Sequence, residues 1–252
     1  MNGAHGHASP IVLIHGSRTS SSQWDLQVPL LEAAGHPCRV PDLPGHGTRQ
    51  DEPFTTAEAL ATVRRTVRAH AAEHDGPVHL VGSSLGGMLA IAAAEDLHPL
   101  ASLVLCGSSV QPRALTARAY GRGMRVLDAL PGGDVSTRAV LARLLGAEGV
   151  EAYLRGGRAG VAVIAPSMAA VAGVDLRGTL TRITVPVTVL NGRYDQLRLH
   201  ERSFARAAPR GRLQVLPSGT HLVNLTHPER FTAELLTAVA AAEARRDGEG
   251  VP

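Results

Sequence analysis

The 252-residue sequence contains no lysine, because all of its 25 basic residues are arginine. A chain without lysine cannot form a lysine Schiff base with a carbonyl substrate, and it cannot build a phosphate-binding loop that ends in Gly-Lys. Both of these enzyme classes are therefore excluded before any motif is considered.

Aromatic residues and cysteine are also scarce. Phe, Tyr and Trp make up 3% of the chain, so we expect aliphatic side chains to line the core and any pocket. Cys38 and Cys106 lie in predicted strands without C-x-x-C spacing, which favours buried, reduced thiols. His5 and His7 fall in an N-terminal segment that we expect to be unstructured. The composition predicts neither a metal site nor a cofactor.

Excess charge and long apolar runs are absent as well. The formal net charge is +3, and the arginines are scattered without interleaved aromatic residues, so we expect no nucleic-acid partner. No apolar stretch reaches the roughly 18 residues of a membrane helix, so we expect no membrane partner. The first ten residues lack the apolar segment of a secretory signal, which favours a cytoplasmic protein.

Six short apolar runs end in turn-forming residues, a pattern typical of strands buried on both faces. They span residues 10–16, 38–47, 77–83, 101–109, 185–192 and 211–219. Helical patterns span residues 23–34, 56–73, 85–97, 197–207 and 228–246. This alternation predicts an α/β fold with a mostly parallel sheet of about six to eight strands and helices on both faces.

Two helix starts carry a Thr-x-x-Glu pattern, in which a hydroxyl and a carboxylate can satisfy free backbone N–H groups. These are Thr55 with Glu58, and Thr226 with Glu229. We therefore expect helices to begin directly after Thr55 and Thr226.

Residues 110–182 interrupt the alternation with helical or loop-like sequence that contains ten Arg and five acidic residues. A connection of this length between two strands is usually functional. We expect residues 1–109 and 183–252 to form the core and residues 110–182 to form a helical lid. A solvated helical embellishment is the alternative.

The segment Gly82-Ser83-Ser84-Leu85-Gly86 matches G-x-S-x-G after a predicted strand and before a predicted helix. This motif forms a sharp turn that exposes the central hydroxyl, which here belongs to Ser84. Ser83 should point away from the pocket. An ordinary glycine-rich turn is the alternative.

A serine nucleophile needs a histidine base and an orienting carboxylate. Asp195 follows the strand of residues 185–192, and His221 follows the strand of residues 211–219. Asp175 lies inside the insertion and Asp42 precedes the turn, so Asp195 is the candidate acid. As an alternative, Asp195 only terminates its strand.

We expect other polar residues near Ser84 to support catalysis. The backbone N–H groups of Ser17 and Leu85 are the candidate oxyanion donors, with Gly16 allowing a close approach to Ser84. His15 is interpreted as a residue that holds the loop. The other histidines are expected in a strand (His79), on or near helix ends (His70, His74, His98) or at a helix start (His227).

Together these motifs resemble the α/β-hydrolase fold superfamily over nearly the whole chain. The matching segments are His15-Gly16 with Trp24 beyond, residues 42–47, the turn around Ser84, residues 191–195 and residues 219–221. The pattern is similar to the serine branch of esterases, enol-lactone hydrolases, carbon–carbon hydrolases and menaquinone-pathway lyases. Dehalogenases and soluble epoxide hydrolases carry Asp in place of Ser84.

We therefore expect a serine hydrolase that cleaves a carboxylic ester or thioester through an acyl-enzyme. Its expected substrate is a small acyl compound, free or carrier-linked, and its expected state is a monomer or homodimer. A lyase or cyclase that uses His221 as a general base remains open, because fold does not decide the reaction. A non-catalytic binding module is the third hypothesis.

Overall fold

The computed structural model describes residues 8–112, 122–123, 126 and 133–249. Within these ranges the strands form one parallel sheet of six strands in the order β2-β1-β3-β4-β5-β6. The strands are β1 (Ile11–Ile14), β2 (Cys38–Arg39), β3 (Val78–Ser83), β4 (Leu100–Cys106), β5 (Val187–Gly192) and β6 (Gly211–Leu216). The predicted α/β class is confirmed.

The strand order determines which loops meet at the carboxyl edge of the sheet. The chain leaves β1 for β2 at one edge and then returns to β3 on the other side of β1. In open parallel sheets, a crevice forms outside the carboxyl ends of the strands where the order reverses in this way. The loop after β1 and the turn after β3 therefore meet at this crevice.

Helices cover both faces of the sheet. The helices are α1 (Val28–Ala33), α2 (Thr56–Glu73), α3 (Leu85–Ala94), α4 (Gly133–Leu154), α5 (Ile164–Ala172), α6 (Leu176–Leu180), α7 (Glu201–Ala207), α8 (Val223–Thr226) and α9 (Pro228–Glu249). Short 3-10 helices occupy Ser21–Trp24, Gly47–Arg49 and Val161–Val163. No described helix combines the length and the apolar character that crossing a membrane requires.

Alternate residues of β1 pack on opposite faces of the sheet. Val12 and Ile14 contribute to the cluster that α2 and α3 cover. Ile11 and Leu13 contribute to the cluster that contains Phe231 of α9. This two-residue period is the geometry of a strand, and burial on both faces explains why the run is continuously apolar.

Two of the local predictions that differ from the structure have an evident physical reason. The strand predicted over residues 38–47 ends at Arg39, because Pro41 and Pro44 cannot donate ladder hydrogen bonds. Thr55 caps its helix by accepting from the Glu58 N–H at 3.2 Å, as predicted, whereas the Glu58 carboxylate accepts from Arg49 and Arg65. The Thr226 cap is wrong, since the Thr226 hydroxyl donates to the Leu222 carbonyl and α9 begins at Pro228.

The described part of the predicted lid contains α4, α5 and α6 and, within those residues, no strand. Hydrogen bonds join it to the loop after β1. The Ser22 hydroxyl donates to the Ala152 carbonyl at 2.6 Å, and Arg18 Nε donates to the Ala159 carbonyl at 3.0 Å. The remainder of the predicted lid, like His5 and His7, lies outside the described residues.

Candidate active site

The turn after β3 holds Ser84 in an uncommon backbone conformation, with φ 52° and ψ −117°. A non-glycine residue with positive φ costs free energy, and the surrounding structure must enforce it. The close approach of neighbouring backbones does so. A Cβ on Gly86 would lie 2.4 Å from the Ile14 carbonyl oxygen, and a Cβ on Gly82 would lie 2.5 Å from the Gly87 nitrogen.

The two adjacent serines have different environments. Ser83 is buried at the end of β3, and its hydroxyl accepts a hydrogen bond from Gln23 Nε2 at 3.0 Å. Ser84 is only partly buried. Of the two serines, therefore, Ser84 is the more exposed.

His221 and Asp195 form a hydrogen-bonded pair. His221 Nδ1 donates to Asp195 Oδ1 at 3.0 Å, and the same oxygen accepts from the Leu197 N–H at 2.7 Å. Asp195 is 4% exposed. Because a carboxylate only accepts, its bond to Nδ1 favours the tautomer in which His221 Nε2 carries a lone pair and can accept a proton.

The peptide that joins Cys106 to Gly107 lies beside all three candidate residues. The Ser84 N–H donates to the Cys106 carbonyl at 2.8 Å. Gly107 has φ +56°, and a Cβ there would lie 2.7 Å from His221 Cε1 and 2.9 Å from Asp195 Oδ2. Ser84, His221 and Asp195 therefore surround one short segment at the carboxyl end of β4.

A buried amide supports this segment. Asn191 Oδ1 accepts from the Gly107 N–H at 3.0 Å, and Asn191 Nδ2 donates to Glu201 Oε2 at 3.0 Å. Arg198 Nε also donates to Glu201 Oε2 at 3.0 Å. Asn191 thereby connects the Gly107 wall to the loop that carries Asp195.

Gln23 holds the loop after β1 against the turn. Its Oε1 accepts from the Gly16 N–H at 2.8 Å and from the Thr19 hydroxyl at 2.9 Å, while its Nε2 binds Ser83. A Cβ on Gly16 would lie 3.4 Å from Ser84 Cβ. The loop residue that follows, Ser17, is therefore close to the nucleophile candidate.

The second candidate oxyanion donor, Leu85, is the first residue of α3. The first N–H groups of a helix have no intrahelical acceptor, so this N–H is available to a developing negative charge. The Ser17 hydroxyl is buried without a hydrogen-bond partner among the described residues.

The hydrogen bonds of His15 give it a structural role. Its Nδ1 donates to the Gly16 carbonyl at 2.8 Å, and its Nε2 accepts from the Leu43 N–H at 3.0 Å. Burial, followed by the neighbouring His46, lowers the pKa of His15 to about 3. His15 is therefore neutral at neutral pH and joins the loop after β1 to the loop after β2.

The rival acids are engaged elsewhere. Asp42 accepts from the Ser21 N–H at 2.7 Å and from the Thr48 N–H at 2.8 Å. Burial acts to raise the pKa of Asp42, but these hydrogen bonds outweigh it and hold the pKa below its usual range. Asp175 is exposed and caps α6 by accepting from the Gly178 N–H at 3.0 Å.

Cys106 could compete as a nucleophile, since it also lies at this edge. It is buried, and burial together with the Asp195 charge raises the pKa of its thiol far above its usual range. The thiolate is the nucleophilic form of cysteine, so Cys106 stays unreactive.

Sequence analysis overlooked Gln23 and Asn191. Each contacts residues far away in the chain, 60 positions away for Gln23 with Ser83 and 84 positions away for Asn191 with Gly107. One local signal was available for Asn191, because a polar residue directly follows the apolar run of β5 at the edge where the candidate acid lies.

Comparison with known proteins gives consistent matches. The model of the alpha/beta hydrolase family matches residues 11–234. A pimeloyl-[acyl-carrier protein] methyl ester esterase from Methylococcus capsulatus is 32% identical over 252 aligned residues, covering 92% of this chain and 94% of that protein. An AB hydrolase superfamily protein from Gibberella zeae is 35% identical over 103 residues, covering 40% of this chain and only 36% of that protein.

A solved structure extends this result to three dimensions. The thermophilic esterase from Thermogutta terrifontis superposes with a TM-score of 0.72 at 25% identity, covering 94% of this chain and 91% of that chain. The family model and the full-length relatives therefore cover the sheet, the turn around Ser84 and the loops that carry His221 and Asp195. The chain belongs to the alpha/beta hydrolase family and is an enzyme of that family.

Proposed function

We propose that this protein hydrolyses a carboxylic ester or thioester through an acyl-enzyme on Ser84. The observation that carries the proposal is the His221–Asp195 hydrogen bond, which lies against the same Gly107 wall as the strained Ser84 turn. Ester hydrolysis agrees with the similarity to a methyl ester esterase over nearly the whole chain.

In this mechanism the Ser84 oxygen attacks the carbonyl carbon of the substrate while His221 Nε2 takes the hydroxyl proton. Asp195 stabilises the imidazolium and keeps Nδ1 protonated. Collapse of the tetrahedral intermediate breaks the bond to the alcohol or thiol, which receives the proton from His221. Water then attacks the acyl-enzyme by the same steps and releases the acid and free Ser84.

The oxyanion would be stabilised by the N–H groups of Ser17 and Leu85. Leu85 contributes the positive end of the α3 dipole as well as its own N–H. Gln23 would keep the Ser17 loop in place, because it anchors Gly16 on one side and Ser83 on the other. In this proposal Gln23 is a positioning residue and does not contact the substrate.

We further propose that residues 110–182 act as a lid that selects the acyl group. In support, the described part of this segment contacts the loop after β1, and Val163 lies beside Gly45 of the loop after β2. The arginine excess of the segment and the carrier-linked substrate named for the Methylococcus capsulatus relative favour an anionic or carrier-linked acyl ester.

The nucleophile is tested by labelling with a fluorophosphonate probe followed by peptide mass spectrometry. The probe is expected on Ser84, and Ser84→Ala should abolish labelling. Ser83→Ala is the matched control and should still be labelled. Labelling of Ser84→Ala protein at the wild-type level would contradict the proposal.

Product analysis in ¹⁸O-labelled water separates hydrolysis from a lyase or cyclase reaction. Methyl esters of short dicarboxylic acids, free and attached to an acyl carrier protein, are suitable substrates. Hydrolysis should place one ¹⁸O atom in the acid product. Turnover without incorporation of label would favour the lyase or cyclase alternative.

A further inference from the structure

Three potential metal ligands lie together at the C-terminal end of α2. His70 and Glu73 belong to the last turn of the helix, and His74 is its C-cap residue. One ligand atom of each lies within 4.8 Å of the other two. The spacings i, i+3 and i+4 place all three side chains on one helical face.

The hydrogen bonding of His70 leaves one ring nitrogen available. His70 Nε2 donates to the Pro37 carbonyl at 3.1 Å, so Nδ1 carries the lone pair. The His70 side chain is 3% exposed, and among the described residues its Nδ1 has no hydrogen-bond partner. A backbone carbonyl that orients the second ring nitrogen in this way is the usual support of a metal-binding histidine.

The Glu73 carboxylate faces this nitrogen but, as an acceptor, cannot donate a hydrogen bond to it. His70 Nδ1 faces Glu73 Oε2 at 3.6 Å, so two acceptors point at each other. A cation beside both atoms would coordinate the unpaired His70 Nδ1 and the Glu73 carboxylate.

We propose that His70, Glu73 and His74 bind a divalent transition metal ion of the zinc class. Two imidazole nitrogens and one carboxylate oxygen suit Zn²⁺ and late first-row metals, whereas Mg²⁺ prefers oxygen ligands alone. Ligand atoms of a tetrahedral zinc ion lie about 3.4 Å apart for bonds of about 2.0 to 2.1 Å. The separation of 3.6 Å between His70 Nδ1 and Glu73 Oε2 is close to that value.

The surroundings leave room for the ion. His74 and Glu73 line an open cleft of about 610 Å³ at the amino edge of the sheet, from which water could complete the coordination. Two arginines are near this cleft: Arg39 donates to Glu73 Oε2 at 2.7 Å, and Arg246 lines the cleft. A carboxylate oxygen has two lone pairs, so Glu73 Oε2 can bind the ion and still accept from Arg39.

The site is separate from the catalytic machinery. Glu73 and His74 precede the start of β3, whereas Ser84 follows its end, and six residues of strand span roughly 20 Å. The ion would link the end of α2 to the segment before β2 through Pro37. We therefore expect it to stabilise the fold and to leave ester hydrolysis unchanged.

The test is a titration of untagged, chelator-treated protein with Zn²⁺ by isothermal calorimetry. It is performed in a His5→Ala/His7→Ala background, so that the N-terminal histidines cannot supply the signal. One equivalent is expected to bind, and His74→Ala or Glu73→Gln should weaken the affinity at least about tenfold, as even loss of an outer-shell partner does. Mg²⁺ should not compete.

His98→Ala is the matched control, because His98 is also exposed and lies near the same edge of the sheet. It should bind Zn²⁺ like the parent protein. As a second readout, Zn²⁺ should raise the Tm of the parent and of His98→Ala but not that of His74→Ala. Failure of the parent to bind one equivalent, or equal binding by His74→Ala, would overturn the proposal whatever the esterase activity.

Discussion

Buried amide side chains bind loop backbone at the carboxyl edge of the sheet, whereas the amino edge buries the imidazoles of His70 and His79. At the carboxyl edge, Gln23 and Asn191 each form three side-chain hydrogen bonds, and these fix the backbone around Ser84 and Gly107. At the amino edge, His79 binds Ser102 at 2.7 Å, whereas Nδ1 of His70 has no hydrogen-bond partner within the described ranges.

The amino edge also joins the two ends of the described chain. The Ser9 N–H donates to Glu243 Oε1 at 3.2 Å, and Arg246 donates to the Ser9 hydroxyl at 3.3 Å. The difference between the edges teaches where each kind of substitution should be visible. Changes at the carboxyl edge should alter turnover, whereas changes at the amino edge should alter stability alone.

The largest expected effect is at Ser84. Ser84→Ala or His221→Ala should lower kcat by roughly 10⁴-fold or more, and Asp195→Asn should cost somewhat less, because the members of a triad act as a unit. Steady-state kinetics on a p-nitrophenyl ester measures this. An unchanged rate for purified Ser84→Ala protein would remove the nucleophile assignment.

A smaller loss of turnover is expected at Gln23. Gln23→Leu removes the bond to Gly16 and should misplace the oxyanion loop, lowering kcat by roughly 10²-fold with little change in KM. Gln23→Glu keeps an acceptor for the Gly16 N–H and should recover part of kcat. Equal losses of kcat in both variants, with unchanged thermal stability, would argue against a positioning role.

Acid stability should depend on His15 at the carboxyl edge. Because burial lowers its folded pKa to about 3 from 6.5, the unfolded chain binds a proton between these values that the folded chain does not. This stability is complete above pH 6.5 and is lost as pH falls toward 3, on the order of a few kcal/mol. Urea unfolding at several pH values should show a flatter acid limb for His15→Gln.

The smallest expected effect is at Glu243 of the amino edge. The hydrogen bond from His79 is the main cause that lowers the pKa of Glu243 to about 2 from 4.5. This stability is therefore present above pH 4.5 and lost as pH falls toward 2. Glu243→Gln should reduce the free energy of unfolding by about 1 kcal/mol near neutral pH.

The Glu243→Gln variant also tests the contrast between the edges. Its kcat and KM should match those of the wild type, since Glu243 lies at the opposite edge from Ser84. A loss of kcat comparable to that of Gln23→Leu would show that the two edges are not functionally separate.

Local signals predicted most of the fold but failed where two signals conflicted. The run of residues 38–47 is apolar enough for a strand, yet its two prolines end β2 at Arg39. Thr226 precedes an acidic residue at the spacing of a capping box, yet Pro228 begins α9 because its fixed φ suits the first helical position.

The candidate catalytic residues were predictable from the sequence, whereas the residues that hold them in place were not. The ends of the predicted strands indicated where Ser84, Asp195 and His221 should lie. Their catalytic roles stay a prediction that the labelling and kinetic experiments test. The roles of Gln23 and Asn191 were not predictable, because the role of a buried amide depends on the groups to which it hydrogen-bonds. Those groups include residues from distant segments of the chain.

The sequence by itself determined the alternation of strands and helices, the sharp turn at Ser84 and the order of the candidate serine, acid and base. These features depend on the spacing of apolar residues and glycines along one segment, which local geometry decides. Only the tertiary structure decided that Gly107 is the common wall of the site and that the Pro37 carbonyl accepts from His70 Nε2. Both depend on distances between groups from separate elements or on buried hydrogen bonds, which no local pattern encodes.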